Sequence, residues 1–129
     1  VNRVQAHEWL DGPRAQSGRV GGAARALFLD MNALALGKPQ LTQEEARPDA
    51  WSRVEAVNAP ALLMVGSEDF SAIIERHDVR SETMPNAFAV VLEGVAHIPS
   101  IEKPELVNSL LIEFLDALLG DESDEDSED

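Results

Sequence analysis

The chain has 129 residues, 44% of them hydrophobic, which suits one ordinary domain with a real core rather than two. Its net charge is −14, half of it carried by the last ten residues, so nucleic-acid phosphates and anionic membranes are not expected as partners. The lack of cysteine excludes disulfides, thiolate zinc sites and a cysteine nucleophile, and with no bilayer-length apolar run and no secretory signal a cytoplasmic location is expected.

Residues 1–50 read as helices joined by Gly/Pro turns. A first helix over Val1–Leu10 places Val1, Val4 and Trp9 on one face, and Asp11-Gly12-Pro13 breaks it. A second follows Gly21-Gly22, with Ala23, Leu27, Met31 and Leu34 at helical spacing, and stops at Gly37 and Pro39. Thr42 to Glu45 has the spacing of a capping box, but Pro48 keeps any helix there short. His7 sits on a polar side of the first helix.

From residue 51 to 119 the pattern alternates. Trp51–Val57 predicts one or two helical turns. Ala61–Val65 is a short, wholly apolar run ending at Gly66, as in a strand buried on both faces. Ser71–Met84 predicts a helix capped by Ser71 and ended by Pro85-Asn86; its Glu75-Arg76-His77-Asp78 stretch reads as a solvated face. Ala87–Leu92 repeats the buried-strand pattern. Pro104–Leu119 carries the clearest helical signal, with Pro104 at its first position, Gly120 just past its end and an apolar face of Val107, Leu110, Leu111, Phe114, Leu115 and Leu118. The order strand, helix, strand, helix implies an α/β fold with a parallel sheet. Two such strands cannot stand alone, so they read as part of a larger sheet, and association through the incomplete sheet is expected. Residues 120–129 read as a disordered acidic tail, with Asp121, Glu122, Asp124, Glu125, Asp126, Glu128 and Asp129.

In an open α/β sheet, ligands bind outside the carboxyl ends of the strands. Two polar loops fall there: Gly66-Ser67-Glu68-Asp69 after the first strand, and Glu93-Gly94-Val95-Ala96-His97 after the second. Parallel strands would bring their tips to one edge, making Asp69 and His97 candidates to meet. Read by local residues alone, Asp69 fits a cap for the helix near Ser71 better than an acid role, and His97 fits a packed or surface histidine better than a catalytic one.

Asn58-Ala59-Pro60, an apolar strand and Gly66-x-x-Asp69 resemble the acid-bearing strand of the α/β-hydrolases. Gly94-Val95-Ala96-His97, followed by Ile101 to Glu105 and a helix through Glu113-Phe114-Leu115, resembles their histidine loop and last helix. The resemblance covers about residues 51–119; residues 1–50, with Trp9 to Pro13 and the helix from Arg25 to Met31, resemble more loosely a remnant of their helical lid. It implies the C-terminal half of an α/β-hydrolase parallel sheet. Asp69 would be the triad acid, Glu68 being one position off the motif. His97 would shuttle protons for a serine that attacks a small ester, lactone or amide.

The family's Gly-x-Ser-x-Gly elbow, which should lie upstream, has no counterpart in these residues. The only glycines four apart, Gly18 and Gly22, enclose Val20. Turnover of a small-molecule substrate is therefore expected only once an N-terminal half completes the site. The alternative is a non-catalytic module that pairs with a partner through its sheet edge or acidic tail. No cofactor is expected, and no His-x-x-x-His or clustered ligand spacing points to a metal. Gly21-Gly22 is too short for a phosphate loop and lacks a preceding strand. Trp9, Phe28 and Trp51 either line a lid pocket or simply pack.

Overall fold

A computed structural model of the chain describes residues 1–39 and 49–121. The capping-box signal at Thr42 and residues 122–129 of the acidic run lie outside the described residues, whereas Gly120 and Asp121, expected in the tail, continue the last helix. The architecture is mixed α/β. In chain order it comprises α1 (Asn2–Gln5) continued by a π-helical turn (Ala6–Asp11), α2 (Gly22–Leu36), a 3-10 turn (Trp51–Ala56), β1 (Ala61–Gly66), α3 (Ser71–Thr83), β2 (Ala87–Leu92), α4 (Pro99–Glu102) and α5 (Pro104–Asp121).

β1 and β2 are parallel and run in register from Ala61 opposite Ala87 to Gly66 opposite Leu92. They are the only strands among the described residues. Side chains alternate across a sheet. Met64, Val90 and Leu92 thus share a face, on which Val107 and Leu110 of α5 pack beside Val95. Phe88 meets Phe114 edge-on at 5.8 Å on this side. α3 packs against both strands. The predicted face of α5 is broader than the one it uses, because Leu111 and Leu115 point to solvent. On β2, Phe88 and Val91 are also exposed. The described sheet is thus less covered than the near-continuous apolar strands imply.

The first 36 residues have a small core of their own. Ala6, Leu10, Val20 and Phe28 are buried together, and Ile98 and Ile101 beside α4 pack onto them. This corrects two expected faces. Val1 and Val4 are exposed, and the π turn instead buries Ala6, Leu10 and Asp11. Leu27, Met31 and Leu34 are exposed too. α2 turns inward the stripe of Arg25, Phe28, Leu29 and Asn32, whose spacing is equally helical. Polar residues lie on that stripe because they have partners in the first eleven residues. Asn32 Nδ2 donates to Asn2 Oδ1 (2.8 Å) and Gln5 Oε1 (2.7 Å), and Asn2 Nδ2 donates to the Leu29 carbonyl.

Asp11 is the hub of this segment. Its carboxylate is fully buried and accepts from Gly18 N (2.8 Å), Val20 N (3.0 Å) and Arg25 Nη1 (3.0 Å). Burial pushes its pKa up, but the two backbone N–H groups and the Arg25 guanidinium outweigh burial and leave it below the usual carboxylate value. His7, predicted on a polar side, is half-buried, with Nδ1 3.9 Å from Asp11 Oδ2. Gly12 follows with φ of +100°, and a Cβ there would lie 2.5 Å from the Glu68 carbonyl oxygen.

Two expectations about α3 also fail. Ser71 is its first helical residue rather than its cap, Phe70 taking the cap position without a side-chain bond. Ser71 Oγ instead accepts from Arg14 Nη1 (2.8 Å). His77 is not on a solvated face; it is buried, with Nδ1 3.3 Å from Asp78 Oδ1. Helical rotation turns His77 with Ile73 toward β1, while Glu75, Arg76 and Asp78 remain exposed.

Candidate active site

The parallel register sets the geometry. Gly66 and Leu92 end their strands side by side, so the two loops that follow start from neighbouring points. The loops are then tied together. Ser67 N donates to the Leu92 carbonyl (3.0 Å), Glu68 N to the Val95 carbonyl (2.9 Å), and Gly94 N to Ser67 Oγ (2.9 Å). Gly66 is required by this approach, since a Cβ there would overlap the carbonyl oxygens of Val95 and Ala96.

Asp69 and His97 meet across the paired loops. His97 Nδ1 lies 2.8 Å from Asp69 Oδ2. The Asp69 side chain is 4% exposed, whereas that of His97 is 38% exposed. The other carboxylate oxygen of Asp69 accepts from Phe70 N (2.7 Å). One oxygen thus anchors the carboxyl to the chain and the other is committed to the imidazole. With Nδ1 donating to this carboxylate, Nε2 is left as the basic, outward nitrogen, and it has no hydrogen bond among the described residues. Glu68 does not reach the histidine; its role in the contact is its backbone N–H.

The residues before β1 brace both loops. His97 N donates to the Trp9 carbonyl (3.2 Å). The Trp9 ring lies 4.7 Å from the His97 ring and 4.8 Å from Phe70. Trp9 is therefore a wall of the site, while Phe28 is core and Trp51 stacks under the Arg80 guanidinium at 5.1 Å. Arg14 grips the acid loop through Ser71 Oγ and the carbonyls of Ser67 and Asp69.

Arg19 grips the histidine loop more completely. Its guanidinium donates to the carbonyls of Asp11 (2.7 Å), Gly94 (2.8 Å) and Leu10 (3.0 Å) and to both carboxylate oxygens of Glu102. All five donors of the group are used. Glu102 in turn accepts from Ala96 N (3.1 Å), the residue beside the histidine. The hydrogen-bonded Glu102 carboxylate raises the Arg19 pKa further above its already high value, so the clamp stays charged. Neither Arg14 nor Arg19 stands out in the sequence. An arginine in a Gly/Pro-rich stretch carries no periodic signal, and the partner of Arg19 lies 83 positions away. Among the described residues no group of three or more His, Asp or Glu side chains is placed to hold a metal ion.

No family model matches the chain, and no solved structure matches it significantly. A curated protein of Bacillus subtilis (strain 168), "Putative 2-succinyl-6-hydroxy-2,4-cyclohexadiene-1-carboxylate synthase", is 25% identical over 105 residues. That match covers 81% of this chain, which spans 35% of the relative's length. No helix among the described residues is long and apolar enough to cross a membrane. The chain is thus a mixed α/β polypeptide distantly similar to an enzyme, and this similarity gives the α/β-hydrolase resemblance distant support.

Proposed function

We propose that these 129 residues supply the acid and the histidine of an α/β-hydrolase catalytic triad, and that the nucleophile and oxyanion hole lie in polypeptide outside them. The observation that carries this reading is the 2.8 Å contact of His97 Nδ1 with buried Asp69, at the carboxyl edge of two parallel strands, with Nε2 unbonded. In this reading Asp69 holds the imidazole in one tautomer and stabilises its cationic form. His97 Nε2 takes the proton of a serine hydroxyl as that oxygen attacks, then delivers it to the leaving group. The helical residues 1–36 form part of a lid beside His97, with Trp9 against the ring.

The substrate is a small molecule with an ester, lactone or amide bond. The relative's name, a synthase of a cyclic carboxylic acid, adds compounds of that kind as candidates. No strand lies on the outer edge of β1 among the described residues, which favours a second reading, a non-catalytic module that pairs with a partner strand.

A labelling experiment decides between them. The protein as its natural source makes it is treated with a fluorophosphonate, and the modified residue is located by mass spectrometry. Labelling of one serine within a Gly-x-Ser-x-Gly segment, abolished by His97→Ala, supports the triad. Absence of labelling, or labelling indifferent to His97→Ala, sinks it. The 129 residues alone are expected to hydrolyse activated esters no faster than free imidazole does.

A further inference from the structure

The chain turns back on itself directly after His97. α4 starts at Pro99, and the backbone N–H groups of Ile101 and Glu102 both bond the Ile98 carbonyl. Ile98 and Ile101 pack against the core formed by Ala6, Leu10, Val20 and Phe28. This one turn brings the Glu102 side chain back beside Ala96, six positions earlier, where its Oε2 accepts from Ala96 N (3.1 Å). The next backbone N–H, that of His97, donates to the Trp9 carbonyl (3.2 Å).

Both holds converge on Arg19. Its guanidinium donates to both Glu102 oxygens and to the carbonyls of Leu10 and Asp11, the residues that follow Trp9. The links close a circuit: from His97 to Trp9, along the chain to Leu10 and Asp11, through Arg19 to Glu102, and back to Ala96. The far side of the circuit is anchored by the buried Asp11 carboxylate, which accepts from Gly18 N and Val20 N on either side of Arg19.

The circuit sets direction as well as position. The peptide units joining Val95 to Ala96 and Ala96 to His97 are planar, and each has its N–H held by a partner. Two consecutive held planes fix the dihedrals of Ala96 and so the direction of the His97 Cα–Cβ bond. The ties of this loop to the acid loop, through Gly94 N and the Val95 carbonyl, lie upstream of these planes.

We propose that Glu102 and Arg19 are positioning residues for His97, holding the two peptide planes that aim its ring at Asp69 and thereby setting the rate of proton transfer. The inference rests on the catalytic reading above and makes the segment from Trp9 to Val20 part of the proton-transfer machinery as well as of the lid. A buried ion pair adds little net stability over apolar packing, and its better use is to specify a geometry. Geometry matters steeply here, because a displacement of ~1 Å in a reacting group can lower a rate by about 100-fold.

The test uses the protein as its natural source makes it, carrying Glu102→Gln or Arg19→Lys and shown by a melt to be folded at the assay temperature. Glu102→Gln keeps the volume but offers one acceptor oxygen to the Ala96 N–H and the guanidinium together. Arg19→Lys keeps the charge but has too few donors for all the acceptors. Each should lower kcat for an activated ester by about 10-fold and change KM by less than about 2-fold, since the ring is misaimed while substrate still binds. Leu110→Ala, which thins the packing of α5 on the sheet, lowers stability without touching the circuit and should leave kcat within about 2-fold. The ring-nitrogen NMR shifts of His97 read the aim directly: both circuit variants should show a smaller share of the Nδ1–H tautomer, and Leu110→Ala should not. An unchanged kcat in both folded circuit variants, an equal loss in Leu110→Ala, or unchanged ring shifts overturns the positioning role. If His97→Ala is inactive while Glu102→Gln and Arg19→Lys keep the native rate, the triad stands and the positioning falls. If His97→Ala keeps the native rate, the triad falls, and the ring shifts alone decide whether Glu102 and Arg19 aim the histidine.

Discussion

Replacing Arg19 by alanine should destabilise the protein by about 2 kcal/mol, less than the cost of breaking a fully buried ion pair because the Arg19 side chain keeps a quarter of its surface in water. The magnitude follows from what is left behind. Glu102, only 6% exposed, loses both guanidinium hydrogen bonds and its cation while still facing Ala96 N. The carbonyls of Leu10, Asp11 and Gly94 lose a donor as well, but Arg19 is a quarter exposed, so water can replace it there and those losses are small. Arg19→Lys keeps the charge with three donors in place of five and should cost about 1 kcal/mol. The assay is urea unfolding of the purified protein. With an m-value of about 2 kcal/mol/M, Arg19→Ala lowers the midpoint by roughly 1 M. Arg19→Ala with Glu102→Ala should be much less than additive, because the second change removes the stranded carboxylate. A midpoint shift below about 0.3 M, or strict additivity, would refute the clamp.

Further predictions concern the hub, the loops and the pair itself. Asp11 has a folded-state pKa below its ordinary value of 3.8, so its contribution is fully present above the unfolded value and is lost as pH falls through the folded one. Asp11→Asn should therefore lower the melting temperature at pH 7 and leave a shallower fall below about pH 4. Gly66→Ala should cost about 3 kcal/mol by overpacking against Val95 and Ala96, read by the same urea titration; a near-neutral effect would mean that the loops are not pressed together as described. Asp69→Asn should leave the fold intact but change the His97 tautomer population, seen in the ring nitrogen shifts by NMR. Unchanged shifts would contradict the Oδ2 contact.

The sheet was legible because its signals are local. Ala61–Val65 and Ala87–Leu92 are short apolar runs stopped by Gly66 and Glu93, and Pro104 marks the start of α5. The meeting of Asp69 and His97 was legible too, since two parallel strands in register bring their following loops to one edge. The first 36 residues were harder to read. In α2 two stripes have helical spacing, and the more apolar one is exposed because Arg25 and Asn32, on the other, have partners in the first eleven residues. Asp11 resembled a turn residue and is a buried carboxylate. His77 sits among charged neighbours, and only the rotation of α3 turns it inward. The Arg19–Glu102 clamp depends on tertiary contact alone, which no periodicity encodes.

Turnover of an activated ester by the protein as its natural source makes it, compared among the native protein, Asp69→Ala, His97→Ala and the double variant, tests the central claim most directly. If Asp69 and His97 act as one proton-transfer unit, each single change lowers kcat by about 100-fold or more, and the double variant is little worse than His97→Ala alone. Losses that multiply in the double variant, or a His97→Ala protein that keeps its rate, would contradict it.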